Sequence, residues 1–222
     1  MDRKTLLIGL VALAVIAVGA AAYFVFFAGS SDAIGADQSR FGITLTAQDR
    51  TLGSPKANLL VVEYAAPTCP HCAYFDINIF PQFKKNWIDT GKAYYVFRVL
   101  PLSAVDVAAE SMARCLPPDH YFSFIDLLYR NQSKWDPDGY SVPDVHAALV
   151  QMGQLAGMSA SQVDSCIGDQ DAAKRIEQIG QDAVTKYGIQ GTPSFLVNGQ
   201  LHGPFADYQE MQSFLVSAAS KK

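Results

Sequence analysis

Cys69 and Cys72 are separated by Pro70 and His71, a Cys-x-x-Cys motif at the end of an apolar run. Two thiols at this spacing can hold one disulfide between them, or they can supply half of a metal site. Placement separates the two chemistries. Residues 58–64, Asn-Leu-Leu-Val-Val-Glu-Tyr, have the composition of a buried strand, and the residues from Pro70 onward have the pattern of a helix. Proline suits the first helical position because its missing N–H would have no intrahelical partner there. That sets Cys69 at the N-cap, where its sulfur faces the free N–H groups of His71 and Cys72 and the positive end of the helix dipole. Such surroundings favour the thiolate and can lower a cysteine pKa from about 8.5 to about 3.5. His71, between the two thiols, can add a positive charge. Cys69 is therefore the candidate nucleophile and Cys72 the resolving partner. As soft ligands, Cys69, His71 and Cys72 would also suit a metal-binding chaperone, although no second Cys-x-x-Cys follows.

The chain that must position this pair has 222 residues, of which 50% are hydrophobic. Once a membrane segment is set aside, that suffices for one well-buried domain and not for a second. A net charge of -4, with no Lys/Arg stripe interleaved with aromatics, disfavours nucleic-acid binding. Asp2-Arg3-Lys4 precedes an uncharged run, residues 6–27, of the length that crosses a hydrocarbon core. Residues 1–28 are thus expected to be a membrane anchor, or a signal sequence cleaved near Gly19-Ala20-Ala21-Ala22. Either places the remainder outside the cytoplasm. Residues 29–40 are small and polar and suit a flexible linker, which leaves 41–222 as the folded domain.

Within that domain, Phe41 to Leu52 can supply an edge strand. After the cysteines a helix is expected to run towards Thr90 with a kink near Pro81, where one backbone hydrogen bond is lost. The segment 92–100 reads as the next strand, joined to the first as a βαβ unit. From about 101 to 169 the pattern turns helical: Val105, Ala108, Met112 and Cys115, then Tyr121, Phe124, Ile125, Leu128 and Tyr129, then Val145, Ala148, Leu149 and Met152, then Val163, Cys166 and Ile167. A longer helix follows, closed by Gly188. Residues 193–202 then read as strand, Asn198-Gly199 turn and strand, and Tyr208, Met211, Phe214 and Leu215 mark a final helix. Cys115 and Cys166 sit on apolar faces of the helical insert, either as buried thiols or as a structural disulfide. The bridge would close a loop worth about 4 kcal/mol in the chain-entropy model.

Together, Cys69-Pro70-His71-Cys72, the segment Gly191-Thr192-Pro193-Ser194-Phe195-Leu196-Val197-Asn198-Gly199 and the helical insert resemble the DsbA-like branch of the thioredoxin superfamily over roughly residues 49–217. The resemblance implies an α/β thioredoxin fold with a helical insertion. It also matches Pro193 to the family's cis-proline beside the active-site sulfurs, and Thr192 to the residue whose backbone pairs with a bound peptide. Thr192 departs from the valine of the best-known enteric members, a difference that bears on release of mixed disulfides. Glu63 matches the family's buried acid, which can take the proton of Cys72 as the mixed disulfide is resolved. Asp76 matches an acidic position one turn into the helix.

The expected activity is thiol–disulfide exchange that introduces disulfides into reduced, unfolded exported proteins at the extracytoplasmic face of the membrane or in the periplasm. The cysteine pair itself carries the electrons, so neither a cofactor nor a metal is expected. The resemblance further implies reoxidation by a DsbB-like quinone-linked membrane oxidase. The alternative is a disulfide isomerase or reductase kept reduced by a DsbD-like membrane reductase.

Overall fold

The computed structural model describes residues 38–220. The expected anchor or signal, 6–27, and residues 29–37 of the expected linker lie outside the described residues. Among the described residues no helix is long and apolar enough to cross a membrane. Two three-residue strands, β1 (Gln38–Arg40) and β2 (Ile43–Leu45), come first. Two units divide the chain, and the larger, Arg40–Ile43 with Gln48–Lys222, is the body considered below.

Its centre is a five-stranded sheet. Strands β3 (Arg50–Gly53), β4 (Leu59–Ala65), β5 (Ala93–Val99), β6 (Ser194–Val197) and β7 (Gln200–His202) lie in the order β3-β5-β4-β6-β7. β4 and β5 are parallel and buried along their whole length, which is why both read as nearly continuous apolar runs. The other pairings are antiparallel. In the hairpin of β6 and β7, Asn198 (φ +48°) and Gly199 (φ +80°) take the left-handed conformations of a tight two-residue turn. A Cβ at Gly199 would stand 2.4 Å from the Phe41 carbonyl oxygen, so only glycine fits.

Helix α1 (Pro70–Asn78) ends at Ile79, and α2 (Phe80–Phe83) with a π-helical turn, Lys84–Ile88, completes the crossover to β5. In place of the single kinked helix expected to run towards Thr90, the chain breaks two residues before Pro81, where the proline ring and its missing N–H prevent one continuous helix. The segment between β5 and β6 holds α3 (Ala104–Cys115), α4 (Tyr121–Arg130), α5 (Gln132–Trp135), α6 (Val145–Leu155), α7 (Ala160–Ile167) and α8 (Gln170–Tyr187). Gly188 closes α8 in the left-handed region, φ +67°. Helix α9 (Tyr208–Ser220) ends the described chain. α4 packs on α1, and α3 packs on α7 and α8.

The inward face of α3 agrees with the expected one only in part. Met112 is buried and Val105 and Ala108 pack half-buried against the core, but Cys115 is exposed, and Asp106, Ala109, Glu110 and Ala113 are buried as well. Two acids turn inward because each finds partners there. Asp106 accepts the backbone N–H groups of Thr68, Leu102 and Ser103, and Glu110 accepts from Arg114 Nε at 2.6 Å and from Tyr121 Oη at 2.7 Å. Cys115, at the end of α3, is bonded to Cys166 in α7.

Candidate active site

The sheet register positions the site. β6 lies antiparallel to β4 with Tyr64 opposite Ser194. The residues just before β6 therefore flank the end of β4 from which the chain turns to Cys69. This brings Thr192 to the cysteines across 123 residues of sequence, with Cys69 Sγ 3.4 Å from the Thr192 carbonyl oxygen. The Thr192–Pro193 peptide is cis.

Cys69 is the N-cap of α1, with φ −73° and ψ 118°, and Pro70 opens the helix. The Cys72 N–H donates to Cys69 Sγ at 3.4 Å. Cys69 is 5% exposed and Cys72 fully buried, and both are free thiols. Local structure thus makes the two sulfurs unequal. The Cys69 pKa falls from an ordinary 9 to about 6, chiefly through the hydrogen bond from the Cys72 thiol. Partial burial opposes this, while Thr192 and the backbone N–H groups of Cys72 and His71 assist. Burial drives the Cys72 thiol well above its ordinary range, and a thiolate at Cys69 pushes the same way. His71 acts on Cys69 through its N–H group, and its side chain is exposed. Among the described residues no group of three or more His, Cys, Asp or Glu side chains is placed to hold a metal ion.

Glu63 lies on β4, 2% exposed, with Oε2 accepting the Tyr95 hydroxyl at 2.6 Å. Burial raises its pKa from 4.5 to about 8, the Tyr95 bond restrains the rise, and the charges of Asp76 and Cys69 add to it. Glu63 in turn raises the Cys72 thiol. Asp76, half-buried on α1, is raised to about 7, first by burial and then by Asp126. The site therefore holds one thiol that ionises below neutrality, one that stays protonated, and a carboxyl that exchanges its proton near pH 8.

Three contributors were not legible in the sequence: Tyr95, Tyr129 and Gln132. Tyr95 reads as one more aromatic on a buried strand. Gln132 sits in a one-turn helix that no apolar periodicity marks, yet its Nε2 donates to the carbonyl oxygens of Pro67 at 2.8 Å and Cys69 at 3.1 Å. Asp106 carries a detectable local signal, since Ser103 and Asp106 form a capping box. Its bond to Thr68 does not follow from that spacing.

A five-stranded sheet with a cysteine pair at the N-terminus of the crossover helix, faced by a cis-proline, defines a thioredoxin-type redox domain. The chain belongs to the thioredoxin family: the family model described as Thioredoxin matches residues 45–216. Within it the likenesses are to DsbA-type proteins. A protein of Rickettsia felis, whose name marks it provisionally as a protein-disulfide oxidoreductase, is 35% identical over 159 residues, 71% of this chain and 56% of the relative. Disulfide bond formation protein D of Bacillus subtilis is 27% identical over 178 residues, 72% of each. The crystal structure of Wolbachia pipientis alpha-DsbA1 superposes with a TM-score of 0.70 at 28% identity, covering 78% of this chain and 92% of that one. The chain spans little more than half the length of the rickettsial relative.

Proposed function

We propose that this protein is an extracytoplasmic thiol–disulfide oxidoreductase that introduces disulfides into reduced, unfolded exported proteins through Cys69 and Cys72. The observation that carries the reading is the opposed tuning of the two sulfurs, Cys69 down to about 6 and Cys72 upward, at a helix N-terminus facing the cis Thr192–Pro193 bond. At pH 7 a thiol of that value is about tenfold more thiolate than thiol. The reduced pair gains stability by the same factor, and its disulfide becomes more oxidising by about 30 mV.

In the oxidised protein, a substrate thiolate attacks Cys69 Sγ, a substrate–Cys69 bond forms, and the Cys69–Cys72 bond breaks. Cys72 leaves as a thiolate and takes a proton, for which Glu63, neutral below about pH 8, is the donor within the site. A second substrate thiolate then attacks the substrate sulfur and expels Cys69 as its stabilised thiolate. The substrate dithiol has lost two electrons and the cysteine pair has gained them. Reoxidation reverses the proton movement, with the Glu63 carboxylate taking the proton of Cys72. Thr192 and Pro193 lie where an extended substrate segment would pair by its backbone.

The wider reading has residues 1–28 as anchor or signal, 29–40 as linker and 41–222 as the catalytic domain, reoxidised by a DsbB-like quinone-linked membrane oxidase. The names of the B. subtilis and W. pipientis relatives support disulfide chemistry of this kind. Thiol trapping of Cys69 and Cys72 in growing cells tests the direction. A predominantly oxidised pair is expected. A predominantly reduced pair overturns the oxidase reading in favour of an isomerase or reductase served by a DsbD-like protein.

A further inference from the structure

The turn that delivers Cys69 to its helix is held from the helical insert, by its backbone. Four main-chain groups in Ala66–Cys69 bond to insert side chains. Tyr129 Oη donates to the Ala66 carbonyl at 3.4 Å, Gln132 Nε2 donates to the carbonyls of Pro67 and Cys69, and Asp106 Oδ1 accepts the Thr68 N–H at 2.8 Å. The turn is buried from Ala66 to Cys69. Without these partners the Pro67 carbonyl and the Thr68 N–H would be stranded, since water does not reach them, while the Ala66 and Cys69 carbonyls would keep only the N–H groups of Cys69 and Ala73.

Gln132 has the central place. Both of its bonds to the turn come from one amide nitrogen, and the side chain is 5% exposed. Its helix, α5, is a single turn that could not hold itself in place. It is fastened by Trp135, wholly buried, whose Nε1–H donates to the Leu128 carbonyl at 2.8 Å. The Cys69 carbonyl that Gln132 grips also accepts the first α1 bond, from the Ala73 N–H at 3.1 Å. With its carbonyl bound from two directions, Cys69 cannot turn about its backbone without losing one of them. The same backbone setting aims the sulfur at the Cys72 N–H on one side and at Thr192 on the other.

We propose that Gln132 is a positioning residue of the redox pair, acting through the Pro67 and Cys69 carbonyls to hold the Cys69 sulfur on the N-terminus of α1, with Asp106 and Tyr129 securing the same turn. On this account the insert sets the reactivity of the cysteine pair as well as enlarging the core. The inference rests on the redox reading of Cys69, and it requires no particular direction of electron flow.

The test reads the Cys69 thiolate itself. In the full chain, reduced at Cys69 and Cys72 with Cys115–Cys166 intact, the absorbance of the thiolate and the rate of alkylation are followed against pH. Gln132→Met keeps the length and removes both donors, and Gln132→Glu keeps the shape and sets a carboxylate against two carbonyl oxygens. Loss of a capping contact shifts an equilibrium about tenfold, so the Cys69 midpoint should rise from about 6 to about 7 in Gln132→Met, and further in Gln132→Glu. The equilibrium constant for oxidising glutathione at pH 7 should fall about fivefold with it. An unchanged midpoint in whichever variant folds overturns the proposal, even if that variant is less stable, because a purely structural glutamine would alter stability alone. Should wild-type Cys69 itself show no midpoint below that of an ordinary thiol, the redox reading fails instead.

Discussion

Replacing Glu63 by Gln tests the buried acid, because the variant keeps the shape and still accepts the Tyr95 hydroxyl but cannot ionise. In the folded protein Glu63 titrates near 8, against 4.5 when solvated. Between those values the folded state holds a proton that the unfolded chain has released, so stability falls as pH rises through the window. Below pH 4.5 both states are protonated and the full stability is present; above about 8 the folded state too is ionised and the loss is complete. Each pH unit in the window corresponds to a factor of ten, and the accumulated loss is on the order of 5 kcal/mol. The difference between wild type and Glu63→Gln isolates this one group, since the other titrating side chains are present in both proteins. Guanidinium unfolding of the two, reduced at Cys69 and Cys72, at one-unit steps from pH 4 to 9 should show the variant gaining on the wild type by several kcal/mol. The same variant should resolve mixed disulfides more slowly and lose the inflection near pH 8 in that rate. Parallel stability curves across the whole range refute the placement of a neutral Glu63 beneath the cysteines.

Further outcomes follow from the same geometry. Tyr95→Phe removes the hydroxyl that restrains the Glu63 shift, so the inflection assigned to Glu63 should move above pH 8; a downward move contradicts the assignment. Cys72→Ala removes the largest contribution to the low Cys69 value and should raise the Cys69 midpoint, with Cys72→Ser, which restores a donor, showing a smaller rise. Thiolate absorbance against pH measures both, and an unchanged midpoint near 6 would show that the helix N-terminus suffices alone. Replacing Cys115 and Cys166 together by Ala opens a loop spanning 51 residues and should cost about 4 kcal/mol in denaturant unfolding. The Cys69 midpoint should stay where it is, because neither cysteine bonds to the turn from Ala66 to Cys69.

The sequence by itself determined the parts of the site that obey short-range rules. Cys69 as N-cap, Pro70 as first helical residue, the break before Pro81, the Asn198-Gly199 turn and Gly188 at the end of α8 each depend on neighbours within about four residues, and their residue types carry the instruction. The apolar run of β4 and the periodicity of the insert marked the main elements, and the Cys-Pro-His-Cys and Gly-Thr-Pro segments pointed to the family. Tertiary structure alone decided which side chains surround the sulfurs. Glu63 is neutral near pH 7 because burial on the sheet excludes water from it, against the pull of the Tyr95 hydroxyl, and no residue type states its own burial. Asp106 and Glu110 turn inward against the apolar pattern of α3 because their partners wait there. Gln132 reaches the Cys69 carbonyl across 63 residues of sequence. A polar side chain on a one-turn helix looks like surface until packing sets buried carbonyls within its reach, and hydrogen-bond satisfaction of that kind is a property of the folded chain.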